Sequence, residues 1–304
     1  MNSTSSVPSL NGKSPLAIVG LMVLTGLLWG SGFPLIKMLD GAFPPITLAA
    51  LRGLIGASAL ILWFLAIGED IIPRSRREIL DWIALGTLNG WLANVLVNYA
   101  IQTMPAGQAS MIQASGPLIT ALLASQLFAD ERLTPRRLLG IALGIIGVAL
   151  LVWPRLSGSG ATALAALAML GTAVSYSLAN IYVRWLPVAD PRRLALGQQV
   201  FSGLFASLIA LFTTGAGSFA AFGTQYPLVL FLGLVSTAMP IVMFMFIIRA
   251  AGPTRAAMLG YIVPVWALVL SAILLGETLT LREIAAGFII LGGVYLVSMS
   301  RGRS

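Results

Sequence analysis

The chain has no cysteine and no histidine. That excludes disulfides, thiol catalysis, His-ligated haem and the usual transition-metal sites, and no cofactor is expected. Charge is also scarce: 9% of residues are Asp, Glu, Lys or Arg, against about 25% in a soluble domain. A chain this poor in charge cannot cover a surface that faces water, so its surface must meet lipid.

What is present instead is apolar, at 58% of the residues. A bilayer-spanning helix needs about 20 residues, so 304 residues hold roughly ten spans and leave no room for a soluble domain. Apolar runs separated by Pro, Gly and charge predict helices over 16–37, 45–67, 81–103, 105–128, 136–153, 161–184, 192–214, 226–249, 253–275 and 282–299. Residues 1–15 read as a disordered cytoplasmic tail and 300–304 as a second cytoplasmic tail. The first apolar run is too long for a signal-peptide core and is kept as a helix.

The net charge of +8 is a matter of sidedness. With the N-terminus placed in the cytoplasm, fourteen basic residues fall on cytoplasmic segments, among them Arg74, Arg76, Arg77, Arg136, Arg137, Arg192 and Arg193. The opposite side receives three, Lys37, Arg155 and Arg282. The positive-inside rule then puts both termini in the cytoplasm and accounts for the basic balance without any nucleic acid.

A constant shift of 147 residues superposes the two halves. It places Thr25 on Thr172, Trp29 on Tyr176, Lys37 on Arg184, Pro44 on Pro191, Gly56 on Gly203, Met111 on Met258, Pro117 on Pro264 and Gly140 on Gly287. Chance coincidence of common residues does not explain paired prolines, a Trp/Tyr pair and a Lys/Arg pair in one register. Five helices is an odd number, so the second half enters the membrane from the opposite side. The expected fold is therefore an all-α membrane protein of ten transmembrane helices in two inverted five-helix repeats, 16–153 and 161–299. In secondary transporters such repeats hold a site near the midplane.

Helix 1 ends in Trp29-Gly30-Ser31-Gly32-Phe33-Pro34-Leu35-Ile36-Lys37, while Glu131-Arg132-Leu133-Thr134 and Gly276-Glu277-Thr278-Leu279-Thr280 follow helices 4 and 9. These segments resemble the EamA-type drug/metabolite transporter superfamily, and the resemblance covers residues 16–299. Within it the chain looks most like the YddG-type aromatic amino acid exporters. The resemblance implies export of small metabolites, such as amino acids or drugs, from the bacterial cytoplasm through the inner membrane.

Several residues are candidates for lining the path. At 100° per residue Thr87, Trp91, Asn94, Asn98 and Gln102 share one face of helix 3, either as a wetted wall or as interhelical hydrogen-bond glue. Thr25, Trp29 and Phe33 repeat that spacing in helix 1, and Thr172, Tyr176 and Asn180 in helix 6, so Trp29 and Tyr176 are expected to face one another across the centre. Pro117 and Pro264, near the middle of helices 4 and 9, deprive the carbonyls of Gln113 and Gly260 of a donor. They mark candidate hinges, and the Gln113 carbonyl a candidate acceptor. Gly26/Gly30, Gly86/Gly90 and Gly140/Gly144 read as close helix packing. Arg52 is the one charge well inside a span; it serves function or snorkels to the near surface.

All ten acids lie at helix ends or in loops. With no carboxylate and no His at membrane depth, no residue is evident to carry a proton, which favours facilitated transport. The same gap removes the nucleophile–base pairs and metal ligands an intramembrane enzyme needs. The runner-up is multidrug or other metabolite efflux by proton antiport, suggested by the Met239, Met243 and Met245 cluster. Expected partners are a small-molecule substrate and membrane lipid.

Overall fold

The computed structural model describes residues 15–129, 133–156, 160–186, 190–251, 256 and 258–299. The two tails apart from Pro15, residues 130–132, 157–159 and 187–189, and the start of the expected ninth span lie outside the described residues.

The described residues form ten spans. They are α1 (Pro15–Met38), α2 (Pro45–Ala66), α3 (Arg76–Gly86, Thr87–Trp91 and Leu92–Thr103), α4 (Ala106–Gln113 and Gly116–Leu127), α5 (Pro135–Leu156), α6 (Gly160–Trp185), α7 (Pro191–Thr213), α8 (Phe222–Gly233, Leu234–Ala238 and Met239–Ala251), α9 (Leu259–Leu275) and α10 (Leu281–Met299). Eight of them are long and apolar enough to cross a bilayer uninterrupted; α9 is a shorter apolar helix and α4 is split in two. Ten successive spans put the start of α1 and the close of α10 at one end of the bundle, the terminal end, and the starts of α2, α4, α6, α8 and α10 at the far end.

Local chemistry sets the helix limits. Pro45 and Pro191 open α2 and α7, where a missing N–H costs nothing. Gly68 and Gly215, 147 residues apart, follow those two helices with φ of 69° and 74°, the left-handed conformation that ends a helix and suits glycine. α3 starts five residues before its apolar run. There Ser75 accepts the Glu78 N–H while the Glu78 carboxylate accepts the Arg74 N–H, a reciprocal cap that begins the helix outside the hydrocarbon.

The inverted repeat extends to irregularities. The helices widen into π turns at Thr87–Trp91 in α3 and Leu234–Ala238 in α8, in the same register of 147. The halves interlock: α1 packs on α9 as α6 packs on α4, α2 crosses α7, and α5 crosses α10. Lipid offers no hydrophobic drive between helices, so close approach rests on small residues. A Cβ on Gly140 would stand 2.6 Å from the Gly293 carbonyl oxygen, one on Gly30 2.9 Å from that of Val263, and one on Gly90 2.6 Å from Ser202 Cβ. The outward side chains are apolar, including Leu62, Phe212, Ile273 and Phe288, as a lipid-facing surface requires.

Candidate functional site

The polar stripe of α3 divides into two parts. Toward the far end its amides tie helices together: Asn98 Nδ2 donates to the Pro45 carbonyl at 3.0 Å, and Gln102 Nε2 to that of Phe43 at 3.4 Å. Asn98 Oδ1 is buried with no partner. Trp91 Nε1 donates to Thr87 within the π turn, and its ring packs against Ala49, Ala50 and Ala206. Asn94 differs, being buried with a side chain that hydrogen-bonds to no other described residue.

The matched helices α1 and α6 separate in the same way. Thr25 and Thr172 each donate to the carbonyl four residues back, Leu21 and Ala168, so both hydroxyls are satisfied by their own helix. Phe33 is buried in the main apolar cluster. Trp29 is half-buried and meets Phe244 of α8 at 5.4 Å between ring centroids. Tyr176 is half-buried, makes no ring contact among the described residues, and interacts electrostatically with Arg52. Trp29 and Tyr176 are thus not in ring contact. Asn180 is exposed toward the terminal end of α6. Of the methionines, Met239 is exposed, Met243 half-buried and Met245 buried, so they form no single wall.

The paired prolines act unequally. α4 breaks at Ala114–Ser115, leaving Gln113 as the last residue of the first segment and Pro117 in the first turn of the second. Ser177 of α6 donates to the Gly116 carbonyl at 2.9 Å, beside the break. α9 runs through Pro264 without interruption, and the Gly260 carbonyl loses its helical donor.

Acids cluster at the two ends, where each described one is engaged. At the far end Glu277 accepts the Ala106 and Gly107 N–H groups at 2.7 and 3.0 Å, capping α4, and Lys37 Nζ donates to the Ile101 and Gln102 carbonyls. At the terminal end Arg193 binds Glu78 at 2.6 Å, Arg192 pairs with Glu69 and Asp190, and the Tyr182 hydroxyl donates to Asp81.

Arg52 stands apart from these pairs. Its Nε donates to Thr237 Oγ1 at 2.7 Å, and the Thr237 hydroxyl donates to the Leu232 carbonyl five residues back in the π turn. Arg52 lies seven residues into α2, about 10 Å from the far end, and Thr237 lies at the level of Gly56, one turn deeper in the same helix. The guanidinium therefore reaches inward and does not snorkel. Gln199, its repeat mate in α7, is 2% exposed with Nε2 lacking any hydrogen-bond partner. A Cβ on Gly56, one turn along α2 from Arg52, would sit 2.6 Å from that nitrogen and 3.5 Å from Thr237 Cγ2. Arg52, Gln199 and Thr237 thus converge where α2, α7 and α8 meet, with Tyr176 approaching from α6. Gln199 and Thr237 were not singled out by spacing; the available signal was the 147 shift, which sets the polar Arg52 on the polar Gln199 in two apolar helices.

The sequence pattern described as "EamA-like transporter family" matches residues 16–153 and 163–299, one match per half. The chain is 29% identical over 286 residues to a "Probable amino-acid metabolite efflux pump" of Salmonella typhimurium, covering 91% of this chain and 93% of that protein. It is 28% identical over 297 residues to the "Uncharacterized inner membrane transporter YedA" of Escherichia coli, covering 94% and 92%. A solved structure titled only "Crystal structure of protein" superposes with a TM-score of 0.65 at 21% identity, over 96% of this chain and all of that one, a likeness of fold alone.

Proposed function

The chain belongs to the EamA-like transporter family and is a multi-pass membrane transporter, and from that premise we propose that it exports small metabolites, foremost amino acids including aromatic ones, out of the bacterial cytoplasm. The observation that carries this reading is the interlocking of two inverted halves around half-buried polar and aromatic side chains deep in the bundle. That arrangement suits alternating access, in which the halves rock about a central site. The relative named an amino-acid metabolite efflux pump, aligned over nearly its whole length, supports the substrate class.

In this reading Trp29 and Tyr176 flank the solute, Asn94 and Asn98 offer donors and acceptors to a zwitterion, and Phe33 and Trp91 shape the walls. The Gln113 carbonyl at the α4 break accepts from an ammonium group, Asn180 stands at the terminal-side mouth, and Pro117 and Pro264 serve as hinges. The excess of basic residues at the terminal end supports an inner-membrane orientation with both termini cytoplasmic. Transport proceeds as uniport, since every described acid lies at a helix end and is engaged there.

Purified protein in liposomes loaded with labelled leucine or phenylalanine tests the reading. Efflux is expected down the substrate gradient with equal pH on both sides. Flux that appears only under an imposed pH difference refutes uniport. Movement of a lipophilic cation without any amino acid refutes the substrate class.

A further inference from the structure

A guanidinium stays protonated in proteins, and an unpaired charge buried away from water is strongly disfavoured. Among the described residues Arg52, which is only partly buried, has one hydrogen bond, Nε to the Thr237 hydroxyl, and no carboxylate partner, so its two Nη groups donate to no other described residue. Every other arginine whose ion pair is described reaches an acid at a helix end. Next to Arg52 stands a second vacancy of the same sign: Gln199 Nε2, an amide donor buried without an acceptor. The Tyr176 hydroxyl adds a third group able to donate. Three donors and a full positive charge, short of acceptors and short of negative charge, converge at the level of the α8 π turn.

We infer that Arg52, with Gln199 and Tyr176, is the anchor for a carboxylate on the transported solute. The inference rests on the export reading above and specifies which chemical group of the solute the site recognises. A carboxylate has two oxygens and about four lone-pair positions, which the free Nη pair can meet side by side while Gln199 Nε2 takes a further one. Thr237 positions the fork by holding Nε. The near-symmetry of the halves explains why there is one anchor. The 147 shift turns Arg52 into Gln199 and Thr237 into Gly90, so the symmetry-related place has an uncharged donor for the guanidinium and a glycine for the positioning threonine. A solute with one carboxylate has one place to put it. The positive charge also disfavours cationic cargo, which sets this site against lipophilic-cation efflux.

The test compares matched pairs of solutes on the full-length protein. Binding is read as ligand-induced thermal stabilisation, and transport as counterflow in liposomes, for leucine against leucinamide, phenylalanine against phenylalaninamide, and 4-methylvalerate as a carboxylate without an amine. Wild type should prefer each acid over its amide by roughly tenfold to hundredfold, the scale of a hydrogen bond to a charged group. Arg52→Gln should abolish that preference, Arg52→Lys retain part of it, and Gln199→Met weaken it without removing it. Equal recognition of acid and amide by wild type overturns the anchor while leaving amino-acid export intact, and this comparison holds even if Arg52→Gln fails to fold. Binding of 4-methylvalerate but of no amino acid upholds the anchor and removes the amino-acid reading. Recognition of tetraphenylphosphonium alone overturns both.

Discussion

Gly203→Ala probes the interlocking of the halves at a point where backbone meets backbone. Gly203 of α7 faces Gly53 and Leu54 of α2, and a Cβ there would lie 2.7 Å from the Leu54 nitrogen, 2.8 Å from the Gly53 carbonyl carbon and 3.1 Å from its oxygen. Ordinary contact begins at 3.4 Å, so 3.4 − 2.7 = 0.7 Å must be found. The obstructing atoms are backbone, so no side chain can rotate away and the two helices must part. Overpacking of this kind costs about 1–3 kcal/mol. Replacing a helical glycine by alanine returns about 0.5–1 kcal/mol in backbone entropy. A net destabilisation of up to about 2.5 kcal/mol is therefore expected. Gly20→Ala in α1 is the matched control, since a Cβ there meets nothing within 4 Å, and it should be neutral or stabilising by the same entropy. Thermal unfolding of both variants in detergent gives the comparison. A Tm for Gly203→Ala equal to or above that of Gly20→Ala would refute the close crossing of α2 and α7 and the interlocked arrangement built on it.

Two further measurements separate site from scaffold and fix the orientation. Asn98→Ala should cut transport and also lower thermal stability by about 1 kcal/mol, because its amide holds the Pro45 carbonyl while its Oδ1 has no partner; Asn94→Ala and Trp29→Ala should cut transport with little change in Tm, and Phe288→Ala, 73% exposed on α10, should alter neither. Intact transport in Asn94→Ala would assign that residue to packing. Thr214→Cys, exposed after α7 in a chain with no native cysteine, should react with a membrane-impermeant maleimide in intact cells; labelling only after permeabilisation would invert the proposed topology.

The ten spans and the inverted repeat are legible in the chain alone, because both are written in local chemistry. Apolar length sets a span, Pro and Gly set its ends, and a 147-residue register copies that punctuation into the second half, down to the left-handed glycines at 68 and 215. The chain alone also places the close-packing glycines, since a missing side chain has the same consequence whichever helix approaches. The partners of polar side chains depend instead on how the helices assemble. Asn94, Asn98 and Gln102 look alike on one helical face, yet Asn98 and Gln102 meet carbonyls at the start of α2 and Asn94 meets none, because the connection into α2 passes the far end of α3 alone. Thr25 and Thr172 matched in sequence and proved to bond within their own helices, an outcome a spacing argument does not separate from cavity lining. Arg52 shows the difference most plainly. Its position in α2 allowed either snorkelling or function, and the choice was made by Thr237, 185 residues away, which the crossing of α2 and α8 brings within 2.7 Å. Hydropathy is a sum over neighbours in the chain; a hydrogen bond across a bundle depends on which helices cross and at what height, and that is a property of the assembled fold.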